Sequence, residues 1–246
     1  MKFGGSVITQ KKKEFAFRPG VTARLARELA FSKAEVILVH GAGSFAHPLV
    51  HRYTPPFKPE EITEIQRGVG RLNALVLSAL IRAGLSPVPI PPSAVVRCGR
   101  GRIDRMDLGP FLDYRSLDMM PVTFGDLCLS STNGVEVCSG DQLASYLSTR
   151  LGAEAVIFVT DVDGILSPSG PIDEMGIEDL ASIPVQEVQG DVTGGMGKKI
   201  EVIRSIAAHG IPCAVINGLV PDRLLQALGG HIIGTLIRGE YAKKKS

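Results

Sequence analysis

The chain has 246 residues, 44% of them hydrophobic, enough to bury a sizeable core in one large α/β domain or in two lobes sharing a sheet. Lys and Arg number 27 against 25 Asp and Glu, a net charge of +2 that gives no case for an acidic tail or a nucleic-acid scaffold. Tryptophan is absent, no stretch approaches the roughly 20 apolar residues of a membrane span, and the N-terminus lacks the apolar region of a signal peptide, so neither a stacking platform for bases nor a membrane partner is expected.

Lys2-Phe3-Gly4-Gly5-Ser6 opens the chain with a lysine beside a glycine pair. Only Met1 precedes Lys2, so a first strand is expected to be short and to anchor Lys2 weakly. Lys11, Lys12 and Lys13 read as a solvated turn, Lys12 and Lys13 most simply. Val21, Leu25 and Leu29 at i, i+4, i+8 predict a helix from Val21 to Ala30. Val36 to Val39 predicts a buried strand that runs into His40-Gly41-Ala42-Gly43-Ser44-Phe45-Ala46-His47. Glycines and a small serine after a strand let backbone N–H groups approach an anion, and His47 can donate to a phosphate. His47 as a plain surface residue is the rival reading, and His40 reads as a polar residue closing a strand end.

Residues 48–59, rich in proline, aromatics and charge, read as a loop or lid. Glu60 to Ala83 predicts a long amphipathic helix ended by Gly84. Its apolar face carries Ile62, Ile65, Val69, Leu72, Val76 and Ala79, which read as core, with the N-terminal part placed to line an acceptor site. Val88 to Ile90 and Met120 to Thr123 predict short strands. Ser139-Gly140-Asp141 begins a helix to about Arg150, with a carboxylate where a helix start favours one. Ala155 to Thr160 predicts a buried strand entering the polar turn Asp161-Val162-Asp163-Gly164. Asp191 to Lys199 is a third glycine-rich segment, followed by a helix from Lys198 to His209. A strand at Cys213 to Asn217, a helix at Pro221 to Leu228 and a strand at His231 to Ile237 complete the pattern, with a frayed tail at Lys243 to Lys245. Strand–helix alternation of this length predicts an α/β fold, a three-layer α/β/α sandwich on a mainly parallel sheet, with ligands at the C-terminal strand ends. Cys98, Cys128, Cys138 and Cys213 form no C-x-x-C pair and read as reduced packing residues of a cytoplasmic protein, with no redox or zinc role expected.

Lys2 to Ser6, His40 to Gly43, Ser139 to Asp141, Thr160 to Gly164 and Thr193 to Lys199 resemble, in order and across nearly the whole chain, the motifs of the amino acid kinase family. The resemblance implies one domain over 1–246, with an acceptor-binding lobe at about 1–125 and a nucleotide-binding lobe at about 126–246. It implies phosphoryl transfer from ATP and a homodimer. Lys2 and Lys199 would then contact the transferring group, and Asp141 would hold the two lysines. Gly4, Gly5, Ser6, Lys11, Thr160, Asp161, Asp163, Gly164, Gly195, Met196 and Lys198 would face the nucleotide, Lys11 most loosely because Lys12 or Lys13 could replace it. Gly41, Ala42, Gly43, Ser44, Gly140, Val69 and His47 would surround the acceptor. Mg²⁺ would be held by phosphate oxygens and water, so no protein metal ligand is expected.

His47 narrows the resemblance. Members that phosphorylate a carboxylate lack a histidine there, whereas an acceptor that is already a phosphate needs a donor. The resemblance thus implies transfer to isopentenyl phosphate, giving isopentenyl diphosphate and ADP in mevalonate-route isoprenoid synthesis. No general base is required, since such an acceptor is an anion near neutral pH. A phosphonate acceptor of the fosfomycin type is the alternative within the family. A non-catalytic nucleotide- or oxyanion-binding protein on the same fold is the alternative outside catalysis, and Lys2, Asp141 and Lys199 argue against it.

Overall fold

The structure, a computed structural model, describes residues 1–167, 170–181 and 195–239. The first half contains β1 (Lys2–Phe3), α1 (Gly5–Ile8), α2 (Pro19–Ser32), β2 (Leu38–His40), α3 (His47–Arg52), α4 (Pro59–Arg82), β3 (Pro87–Pro89), α5 (Pro92–Val95), β4 (Val96–Gly99), β5 (Arg102–Met106), α6 (Gly109–Arg115) and β6 (Met120–Phe124). The second contains β7 (Asp126–Ser130), β8 (Gly134–Cys138), α7 (Gly140–Leu151), β9 (Val156–Thr160), β10 (Leu166–Ser167), β11 (Gly170–Pro171), β12 (Glu174–Met175), α8 (Gly195–Ala208), β13 (Cys213–Asn217), α9 (Arg223–Leu228) and β14 (Gly234–Ile237).

Eight strands form one sheet in the order β12-β14-β13-β9-β1-β2-β6-β3. The pairs along it are parallel except β13 with β14, which run antiparallel. Side chains of β9 alternate between the two faces, as a strand's period of two requires. Val156 and Phe158 enter an apolar group with Leu143 of α7 and Ile203 of α8. Ile157 and Val159 enter a second with Leu25 of α2 and Leu72 of α4. Burial on both faces explains why β9 reads as an unbroken apolar run. No helix among the described residues is long and apolar enough to cross a membrane.

Helix ends follow local chemistry. In α7 the Ser139 hydroxyl accepts from Gln142 N at 3.2 Å, and the Gln142 side chain accepts from Ser139 N at 2.9 Å, satisfying two free N–H groups reciprocally. The Glu61 carboxylate accepts from Lys58 N at 2.8 Å at the start of α4, which ends before Gly84 at φ +87°.

Three expectations are corrected. The first strand is short, yet β1 is central: Lys2 pairs with Val39 on one side and Phe158 on the other, and its side chain is buried. Two flanking strands anchor Lys2 where its own strand cannot. Residues 48–59 are not all loop, because α3 extends to Arg52; Pro48 occupies its first turn, where the missing N–H costs no bond. The expected strand from His231 begins at Gly234. Beyond these, β5-β4-β7-β8 form a second sheet, from residues for which no element was expected.

Candidate functional site

Two glycine turns lie back to back at the C-terminal ends of β1 and β2. A Cβ on Gly5 would stand 2.6 Å from Gly43 N, and one on Gly41 would stand 2.7 Å from Gly5 N. Neither contact is tolerable, so only glycines allow this approach. Thr9 fastens the turns together: its hydroxyl donates to Gly5 O at 2.7 Å and accepts from Ser44 N at 3.0 Å. Nothing in the sequence singled out Thr9, whose role appears only when the loops are brought together.

This clasp modifies the expected anion cradle. Gly41 N donates to Phe3 O at 2.9 Å, continuing the strand pairing, and Ser44 N is used by Thr9. The Ser44 hydroxyl accepts from Ala16 N at 3.2 Å. Among the described residues no acceptor lies on the N–H groups of Ala42 and Gly43, which leaves these two donors open. His47 begins α3 with an exposed side chain, just past the short turn Gly43–Phe45. Val69 is fully buried beside Ala42, Ala46, Leu49 and Ile65, which makes it a floor of this region.

His40 is structural. It is buried, stacked on Phe124 at 5.3 Å between ring centroids, and burial holds its pKa below the usual value. A neutral ring donates from one nitrogen only. Nδ1 lies 3.1 Å from Gly41 O and Nε2 lies 3.2 Å from Asn73 Oδ1, so the neutral ring donates to one of these two oxygens. His40 thereby fixes the start of the glycine turn.

Asp141 occupies the first turn of α7 and binds two lysines from opposite ends of the chain. Lys2 Nζ lies 2.9 Å from Oδ1, and Lys199 Nζ lies 3.1 Å from both carboxylate oxygens. Lys199 also sits over the Phe158 ring, 5.5 Å from its centroid. Burial alone would raise the Asp141 carboxyl, but the charges of Lys2 and then Lys199 outweigh it and hold the group well below the carboxylate range. Burial first, and then the charge of Lys2, lower Lys199 to about 8 against the pull of Asp141. Two ammonium groups share one anion, so the cluster carries an excess positive charge suited to anionic oxygens. Gly140 is held close: a Cβ there would lie 3.2 Å from His40 O.

The turn after β9 forms the adjoining wall. The Ser6 hydroxyl donates to Asp161 at 2.7 Å, and Lys11 Nζ lies 3.2 Å from its other oxygen, which selects Lys11 over Lys12 and Lys13 as the lysine joined to this turn. Burial opposes, but these partners lower the Asp161 pKa. Asp163 accepts from Asn217 at 3.1 Å and faces Arg223 at 3.8 Å, contacts the sequence did not announce. The Thr160 hydroxyl lies 3.0 Å from Ile216 O and locks the strand end. Gly164 has φ +137°, and a Cβ there would meet the Thr235 hydroxyl at 2.6 Å. Gly195 and Met196 open α8, Lys198 is exposed, and Thr193 lies outside the described residues.

Residues 1–217 match the amino acid kinase family. Over 98% of its length the chain is 35% identical to the isopentenyl phosphate kinase of Methanothermobacter thermautotrophicus, covering 99% of that protein. It is 30% identical to the isopentenyl phosphate kinase of Methanocaldococcus jannaschii, over 96% of this chain and 97% of that one. A solved structure of an isopentenyl phosphate kinase superposes with a TM-score of 0.84 at 33% identity, covering 96% of this chain and 98% of the other.

Proposed function

Because the chain belongs to the amino acid kinase family, with isopentenyl phosphate kinases among its full-length relatives, we propose that it transfers the γ-phosphoryl of ATP to isopentenyl phosphate. The observation that carries this reading is the pairing of Lys2 and Lys199 on Asp141. Phosphoryl transfer asks the protein mainly for position and for charge on the equatorial oxygens. A phosphate oxygen of the acceptor attacks the γ-phosphorus as the bond to the β–γ bridging oxygen breaks. The products are isopentenyl diphosphate and ADP. The attacking oxygen is already anionic, so no residue needs to remove a proton.

Lys2 and Lys199 neutralise the transferring group, and Asp141 keeps both ammonium groups aimed at it. Asp141 is not a base: the two lysines that hold it lower its pKa and leave it a poor proton acceptor. The donors of Ala42 and Gly43, with His47 at the mouth of the turn, bind the acceptor phosphate. The apolar group around Val69, Leu49 and Ile65 receives the prenyl tail. Burial of that tail contributes about 0.8 kcal/mol per CH₂, several kcal/mol in all. The nucleotide lies along Ser6, Lys11 and the Thr160–Gly164 turn, with Gly195, Met196 and Lys198 at the start of α8. Asp141, Asp161 and Asp163 are each bonded to cationic or amide groups. Magnesium accompanying ATP would then be held by phosphate oxygens and water and would supply further charge neutralisation.

A homodimer, a cytoplasmic location and the division into acceptor and nucleotide lobes belong to the same proposal. Exposed Phe31, Ile81, Leu112 and Leu117 are apolar surface that association would cover. Four free, buried cysteines suit a reducing compartment. ADP release measured with isopentenyl phosphate, a small phosphonate and N-acetylglutamate tests the assignment. Preference for isopentenyl phosphate is expected; preference for either other acceptor would replace it.

A further inference from the structure

Three cysteines distant in sequence meet on one face of the second sheet. Cys98 of β4 pairs in register with Ser130 of β7, two residues beyond Cys128. Cys128 pairs with Glu136 of β8, two residues before Cys138. Steps of two keep a side chain on the same face, so all three thiols point the same way. Their sulfurs lie within 4.8 Å of one another, and the residues are 2%, 0% and 0% exposed. They belong to the same buried apolar group as Val96, Met106, Phe111 and Leu143.

We propose that Cys98, Cys128 and Cys138 form a three-sulfur binding site for a trivalent thiophilic centre of the arsenic(III) class. Thiolates favour soft centres, and among the described residues no fourth cysteine, histidine or carboxylate joins the three. Zinc wants four ligands in a closed site and would leave this trio one short and anionic. A cuprous ion with three thiolates would leave two negative charges in an apolar setting, a costly burial. A trivalent centre such as arsenic(III) leaves none. As(OH)₃ reacts with three thiols to give As(SR)₃ and three waters: three As–S bonds form, three As–O bonds break, and the thiol protons leave in the water. Oxidation states do not change, and the product is neutral.

Cys138 directly precedes the Ser139 cap of α7, so the site stands at the base of the helix that carries Asp141 while sharing no residue with the phosphoryl-transfer site.

The test uses reduced, full-length protein and sodium arsenite with excess glutathione as competitor. Native mass spectrometry should show a gain of one arsenic less three protons in wild type and in Cys213→Ser. Cys98→Ser, Cys128→Ser and Cys138→Ser should each lose that gain. Arsenite should raise the melting temperature of wild type and not of these three variants. X-ray absorption at the arsenic edge, made on wild type alone, should count three sulfur neighbours, which keeps the test decisive if a serine variant folds poorly. No uptake by wild type, a two-sulfur shell, or uptake that survives Cys98→Ser would overturn the proposal.

Discussion

Lys2 and Lys199 bind the same oxygen of Asp141, at 2.9 and 3.1 Å, although β1 and α8 stand at opposite ends of the chain. A single carboxylate thus sets the separation of two ammonium groups. Asp141→Asn keeps the volume and removes the charge. The variant is expected to fold, because Ser139 and Gln142 still cap α7. Its kcat should fall roughly 10²-fold or more, the scale seen when a preorganised electrostatic contact is lost. Turnover at the wild-type rate in a folded variant would remove Asp141 from the mechanism.

Lys2→Ala and Lys199→Ala should each lower kcat far more than they weaken ATP binding. Charge at these positions matters most as the phosphoryl group leaves ADP, and an interaction strongest in the transition state appears in kcat. ATP affinity by calorimetry, set beside steady-state kinetics, separates the two effects. A loss confined to ATP affinity would make the lysine a ground-state contact.

Lys199 sets an alkaline limit. Its pKa is lowered from 10.5 to about 8, so in the free enzyme the charged form disappears as pH rises through about 8. The kcat/KM for ATP should fall there. Stability should respond with the opposite sign. The unfolded chain keeps this proton up to about 10.5, so between about 8 and 10.5 it binds more protons than the fold, and the group's contribution to stability rises. The activity limb should flatten in Lys199→Arg, whose guanidinium does not titrate in this range.

His47 should govern the acceptor and not the nucleotide. A charge-assisted hydrogen bond contributes about 1.5–3 kcal/mol. His47→Ala should reduce kcat/KM for isopentenyl phosphate roughly tenfold to a hundredfold, since about 1.4 kcal/mol is a factor of ten. His47→Gln should fall between the two. Kinetics with each substrate varied separately decides the matter; equal losses toward both would indicate a structural residue at the start of α3.

The glycine turns were legible because their constraints are local: Gly5 and Gly41 stand where backbone meets backbone, and Gly164 adopts a φ open to glycine. The strand β9 was legible because burial on both faces leaves an unbroken apolar run. The role given to Asp141 came through resemblance, since nothing near it in sequence shows two distant lysines converging. The second sheet was hidden because its strands are short and half-exposed, with Arg97 and Gly99 interrupting the pattern. The thiol cluster was hidden for a related reason: cross-strand register, not sequence spacing, brings Cys98 to Cys128 and Cys138. Pro48 made a helix start resemble a loop, because proline serves in both.

Phosphorus NMR of the complete reaction observes the transfer itself. Protein, magnesium-ATP and isopentenyl phosphate are mixed and the phosphorus resonances followed with time. The acceptor monophosphate should be replaced by the paired, coupled resonances of a diphosphate ester, in step with ADP and without free phosphate. An unchanged acceptor signal, or ATP consumed to inorganic phosphate alone, would contradict transfer to a phosphate acceptor.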